Sequence, residues 1–212
     1  MLTIKCFQFS PIQENTYLLY NEFNNCIIID PGCYFEEERE ILAQFILSNQ
    51  LKPQILLNTH CHLDHVFGNK FVSEKYQLTP QIHSNEKQVL DYAPTSGLIY
   101  NMPFDNYVGP LNYIEAGEKI LMDNDELISI FTPGHSPGSL SFYCKSQHFV
   151  IGGDVLFHRS IGRTDLPGGN FDTLISSIRN ELFVLPEETI VYSGHGGKTN
   201  IGDEKRENPF LR

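Results

Sequence analysis

Six consecutive residues, His60-Cys61-His62-Leu63-Asp64-His65, constrain this chain more than any other stretch. Four of them are histidine or aspartate, separated only by Cys61 and Leu63, and chance rarely builds such a string. In an extended turn His60 and His62 point the same way, while Asp64 and His65 reach a neighbouring position. The spacing therefore predicts two metal ions side by side. Imidazole and carboxylate donors suit zinc, with iron or manganese also accommodated.

A loop with four ligands cannot complete two sites, so further donors are expected at strand exits, beside glycines that let the backbone approach closely. The sequence offers three: His135 in Thr132-Pro133-Gly134-His135-Ser136-Pro137-Gly138, Asp154 after Gly152-Gly153, and His195 in Ser193-Gly194-His195-Gly196. Seven such groups crowded together without a metal would carry a desolvation cost with no return. His83, His148 and His158 fall outside these patterns and read as structural, with His148 opening a strand.

The five cysteines, Cys6, Cys26, Cys33, Cys61 and Cys144, are odd in number and form no CxxC pair, so reduced thiols are expected and no thiolate cluster competes for metal. Cys6, Cys26 and Cys144 lie in apolar, strand-like runs and are read as buried. Cys61, set between two proposed ligands, is either a spacer or a redox-sensitive thiol.

Around these motifs the chain alternates strands and helices. Strands are expected at 2–9, 14–20 and 26–30, followed by a helix from Glu36 whose acidic first turn suits its positive end. Ile55 to Leu57 form a buried strand that delivers the ligand loop. Residues 119–122 and 127–131 read as a hairpin, 140–144 pairs with 148–152, a helix begins near Asn170, and 189–192 makes a last strand. Ala93 to Pro110 is rich in Pro, Gly and aromatics without a clear period, and is read as a surface loop that could cover the site.

With 212 residues, 41% hydrophobic and no repeat or low-complexity tract, the chain fits one domain, 1–212. A formal net charge of −11 counts against nucleic-acid binding. The N-terminal stretch lacks the apolar run of a signal peptide or membrane span, so a cytoplasmic protein without membrane association is expected.

Taken together, the motifs from His60 to His195 resemble those of the metallo-β-lactamase superfamily. The resemblance implies an α+β fold, an αββα sandwich with the metal site at one edge of the two sheets. It also implies that His60, His62 and His135 hold one metal, that Asp64, His65 and His195 hold the other, and that Asp154 bridges both. Ser160-Ile161-Gly162-Arg163-Thr164-Asp165-Leu166-Pro167-Gly168-Gly169, with the tail Thr199 to Gly202 and Asn208 to Phe210, is similar to short bacterial glyoxalase-II-like proteins, which are hydroxyacylglutathione hydrolases. Full-length glyoxalase II carries a helical C-terminal domain that helps bind glutathione, and with 17 residues after His195 a counterpart of it is not expected here.

The expected chemistry is hydrolysis of a small-molecule thioester such as S-lactoylglutathione by a metal-bound hydroxide, oriented by Asp64 and Asp154, with Arg163 contacting substrate. Arg163 and Asp165 are equally suited to pair with each other. The alternative is an iron-dependent dioxygenase acting on glutathione persulfide, with a single iron on His60, His135 and Asp154.

Overall fold

The computed structural model describes residues 1–212. The first half forms a six-stranded sheet from β1 (Thr3–Phe9), β2 (Glu14–Tyr20), β3 (Asn25–Ile29), β4 (Lys52–Leu57), β5 (Pro80–Ile82) and β6 (Asn112–Tyr113), in that spatial order. The β1-β2-β3 portion is antiparallel, and pairing from β3 to β6 is parallel. Parallel neighbours need crossovers, and these supply α1 (Glu36–Ser48), then α2 (Leu63–Val66) with α3 (Asn69–Tyr76), then α4 (Lys87–Ile99).

The second half repeats the plan with a different mixture. Strands β7 (Lys119–Met122), β8 (Asp125–Phe131), β9 (Leu140–Cys144) and β10 (Phe149–Gly153) run antiparallel. A small hairpin, β11 (Leu156–Phe157) with β12 (Ser160–Ile161), leads to α5 (Phe171–Ser177), which continues through one π turn to Leu182. Strand β13 (Ile190–Ser193) then pairs parallel to β10, β14 (Thr199–Asn200) flanks it, and α6 (Ile201–Glu207) follows.

Alternation along the strands dictates the layers, because successive side chains leave opposite faces. Leu19, Ile27, Ile29 and Leu57 of the first sheet meet Leu127, Leu140, Phe142 and Ile151 of the second in a central core. Their neighbours Leu18, Cys26, Ile28 and Leu56 face outward onto Leu42 and Ile46 of α1 and Val72 of α3. On the far side Val150 and Val191 pack against Leu174, Ile178 and Ile201. Sheets buried on both faces need continuous apolar runs, which is what Cys26–Ile29 and Phe149–Ile151 supply. The result is the αββα sandwich expected, and no helix is long and apolar enough to cross a membrane.

Four expectations need correction. Leu63 to Val66 form a helical turn, so Asp64 and His65 project from α2 instead of from an extended loop. Residues 93–99 belong to α4 and not to a surface loop. Pro94 lacks the N–H that would bond Leu90, but Asn106 Nδ2 donates to the Leu90 carbonyl at 2.8 Å and makes the helix tolerable there. Cys6 is exposed, since β1 is an edge strand, whereas Cys26, Cys33, Cys61 and Cys144 are buried and all five thiols are free. His148 does not open a strand: it sits at φ 50°, in the left-handed turn before Phe149.

Candidate metal centre

Strand ends converge at one edge of the sandwich. Beyond β4, Asn58 Nδ2 donates to the His65 carbonyl at 2.9 Å and so folds the ligand loop back on the strand end. Between β8 and β9, Gly134 adopts φ 129°, and any side chain there would strike the backbone of Leu174 at 2.3 Å. Asp154 follows directly on β10, and His195 lies just past β13. A Cβ on Gly194 would lie 2.1 Å from Asp154 Oδ1 and 2.8 Å from the His65 ring, so only glycine permits this approach.

All seven predicted donors are brought together, in two groups. His62 Nδ1 lies 2.9 Å from His135 Nε2, which is 3.2 Å from His60 Nε2. Asp64 Oδ2 lies 3.1 Å from His195 Nε2 and 3.8 Å from His65 Nε2. Asp154 reaches both groups, with Oδ2 3.6 Å from His135 Nε2 and 3.5 Å from His195 Nε2, and Oδ1 3.5 Å from His65 Nε2. Within each of the groups His60/His62/His135 and Asp64/His65/His195 the ligand atoms lie within 4.8 Å of one another.

The far side of three of the five rings is also occupied, which fixes the nitrogen that faces inward there. His60 Nδ1 contacts Thr59 Oγ1 at 3.1 Å, His65 Nδ1 contacts Asp30 Oδ2 at 3.0 Å, and His135 Nδ1 contacts the Arg163 carbonyl at 2.8 Å. Asp30 accepts in addition from Thr59 N and Oγ1, at 2.7 and 2.5 Å. Its own backbone is left-handed at φ 50°, a conformation that aspartate tolerates better than most residues. Asp30 is close to His60 and His65 as well, but its bonds to Thr59 and to His65 Nδ1 make it an orienting group.

A second carboxylate was invisible in the sequence. Glu86, fully buried, accepts from Cys61 N at 2.7 Å, Ser136 Oγ at 2.6 Å and Gly138 N at 2.6 Å. It clips the His60–His62 loop to the His135 loop. The His195 loop is pinned from the opposite sheet: Asn15 Nδ2 donates to the carbonyls of Ser193 and Gly196, and the Tyr17 hydroxyl donates to Ser193 O at 2.6 Å.

The electrostatics distinguish the two groups. Burial and the neighbouring imidazoles hold His60 well below the usual histidine range, and push His62 down to about 3. Burial also lowers His135 despite Asp154. This trio is therefore neutral, with lone pairs available to a cation. In the other group burial is outweighed: Asp154, Asp64 and Asp30 raise His65, while His65 keeps Asp64 and Asp154 ionised below the usual carboxylate range.

Two further observations show that the donor set fits a metal pair. The buried atoms His65 Nε2 and Asp154 Oδ1 have no hydrogen-bond partner, an arrangement that costs about 1–3 kcal/mol per group unless another ligand satisfies them. Three imidazole nitrogens facing one another at 2.9–3.2 Å also lack enough protons to satisfy every lone pair. His83, in contrast, stacks its ring on Phe131 and accepts from Asn85 N, and His148 and His158 are exposed. Cys61 is fully buried beside Leu63, Val66 and Leu90, and burial pushes its thiol well up.

The centre opens into a cleft of about 970 Å³, walled on one side by α4 and on the other by Leu166, Pro167 and Gly168. Arg163 reaches this cleft, with its guanidinium bound to both oxygens of Asp165 at 2.7 and 2.8 Å.

An αββα sandwich whose strand ends gather five histidines and two aspartates defines a metallohydrolase scaffold, and the chain belongs to the metallo-β-lactamase superfamily. The description "Metallo-beta-lactamase superfamily" matches residues 10–195. The probable metallo-hydrolase YqgX of Bacillus subtilis is 41% identical, over 95% of this chain and 93% of its own. Hydroxyacylglutathione hydrolase GloC of Haemophilus influenzae is 36% identical, over 99% and 98%. Among solved structures, the BLEG-1 B3 metallo-beta-lactamase superposes with a TM-score of 0.91 at 37% identity, covering 99% of both chains. TTHA1623 in a di-iron-bound form gives 0.88 at 34% identity, covering 98% of this chain and all of the other.

Proposed function

We propose that this metal-dependent hydrolase cleaves thioesters with two divalent metal ions. The observation that carries the reading is Asp154, whose two oxygens face both donor groups at the floor of the cleft. His60, His62 and His135 would hold one ion, and Asp64, His65 and His195 the other, with Asp154 shared. Ions bound there lower the pKa of water towards neutrality and stabilise negative charge developing on a carbonyl oxygen. Asp64 and Asp154, kept ionised, would orient the attacking water. Asp30, Thr59 and the Arg163 carbonyl hold three of the imidazoles in one tautomer.

The leaving group decides between ester classes. A thiolate departs unprotonated, since an ordinary thiol has a pKa of about 8.5, whereas an amide nitrogen needs a proton donor. Apart from the proposed ligands, the titratable side chains lining the cleft are Cys61, Tyr92, Tyr100 and Arg163. An amide nitrogen would have to draw its proton from one of these groups or from a proposed ligand, a demand that a thiolate does not make. Similarity to GloC supports the thioester reading, while likeness to BLEG-1 makes a β-lactam the control substrate.

The test joins metal analysis to turnover. Purified protein should contain close to two metal ions per chain, hydrolyse hydroxyacyl thioesters, lose that activity to a chelator and regain it with zinc, iron or manganese. One iron per chain with oxygen uptake on glutathione persulfide would replace this reading by the dioxygenase.

A further inference from the structure

The cleft has two unlike surfaces. Its floor is the donor cluster, and its wall is one face of α4, where Val89, Tyr92, Ser96, Ile99 and Tyr100 recur at helical spacing. Tyr92, Ile99 and Tyr100 are 45%, 66% and 50% exposed, although the other face of α4 buries Leu90 and Gly97. Single exposed apolar residues are ordinary, but a contiguous set facing a catalytic cleft marks a binding surface. Leu166 and Pro167 face it from the opposite side, and Ile12 of the β1–β2 turn adds to the rim.

Charge makes the same point. Arg163 is the one cationic side chain in the lining besides histidine, and both oxygens of Asp165 already engage its guanidinium. Lys87, the only cation on α4, is tied to Asp91 at 2.5–2.6 Å. A glutathione moiety carries two carboxylates, and a protein of net charge −11 offers them at most one shared guanidinium here.

We infer that the substrate presents an apolar, uncharged group to the α4 wall, so S-lactoylglutathione, polar at both its acyl and its thiol end, is not the preferred thioester. The inference rests on the thioesterase reading and narrows it. The wall accepts such a group from either side of the scissile bond, as an aliphatic acyl chain or as a neutral thiol.

The experiment crosses lactoyl and hexanoyl acyl groups with glutathione and N-acetylcysteamine thiols, using the metal-loaded enzyme. We expect kcat/KM to rise about tenfold or more over S-lactoylglutathione in at least one arm, equivalent to about 1.4 kcal/mol. A gain confined to the hexanoyl compounds places the apolar group on the acyl side, and one confined to the neutral thiol places it on the thiol side. Tyr92→Asp should abolish that gain with metal content unchanged, and Asp165→Asn, by freeing Arg163, should improve the glutathione compounds. S-Lactoylglutathione as the best of the four, or a ranking unmoved by Tyr92→Asp, would overturn the inference alone. No hydrolysis of any compound would remove the thioesterase reading and the inference with it.

Discussion

The floor and the wall of the cleft are built by opposite means. On the floor three of the imidazoles are held from behind by Asp30, Thr59 and the Arg163 carbonyl, and Glu86 clips two of the donor loops together. The wall is a single helix containing a proline, steadied by Asn106 and presenting apolar side chains to solvent. Chemistry that tolerates little displacement is placed on crosslinked strand ends, and the surface that selects a substrate on an element free to vary. Substitutions on the floor should therefore lower kcat and metal content, and those on the wall should change KM.

The largest effect is expected from Asp154→Asn, which removes the group facing both donor sets: kcat should fall by more than the roughly 100-fold that loss of an outer partner costs, with less metal retained on dialysis. Next comes Glu86→Gln, because a neutral amide cannot accept from Cys61 N, Ser136 Oγ and Gly138 N together. Metal affinity should weaken about 10–100-fold in a competition titration, and unfolding free energy should drop by about 1–3 kcal/mol. Retention of wild-type affinity would show that the two loops hold their positions without this clip.

Asn106→Ala tests the wall. It exposes the unpaired Leu90 carbonyl and should cost about 1 kcal/mol in denaturant unfolding, with KM raised and kcat nearly intact. A proportional fall in kcat would mean that wall and floor are mechanically one unit. The smallest change is expected from Cys61→Ala. This thiol sits between two proposed ligands yet faces the apolar cluster of Leu63, Val66 and Leu90, so turnover should stay within about twofold, with only the modest destabilisation of a small core truncation.

The same contrast explains what could be read from the letters. Metal ligation demands particular side chains, and the proposed donors His60, His62, Asp64, His65, His135, Asp154 and His195 all lie in segments that follow strands and are marked by glycine or by a neighbouring donor. The supporting groups carry no such mark. Asp30 stands in an Asp-Pro-Gly sequence typical of turns, and Glu86 stands among polar residues that match no motif. Asn15 and Tyr17 meet Ser193 across 178 and 176 residues, a pairing that no local pattern announces. Helix α4 was obscured by Pro94 and Gly97, whose compensation comes from Asn106 in the following segment and from the close packing of Met102 and Phe104 on Gly97. Edge position, a property of the assembled sheet, likewise decided the exposure of Cys6.

The clamp of Asn15 and Tyr17 on Ser193 has a consequence for how the molecule assembles. Those residues belong to the first sheet and their partner to the second, and the donors are divided likewise, with residues 60–65 contributed by one half and His135, Asp154 and His195 by the other. Neither half can complete the centre by itself. Metal bound by these seven donors would therefore be taken up with full affinity only once the two sheets have docked, so uptake during refolding should report on that docking.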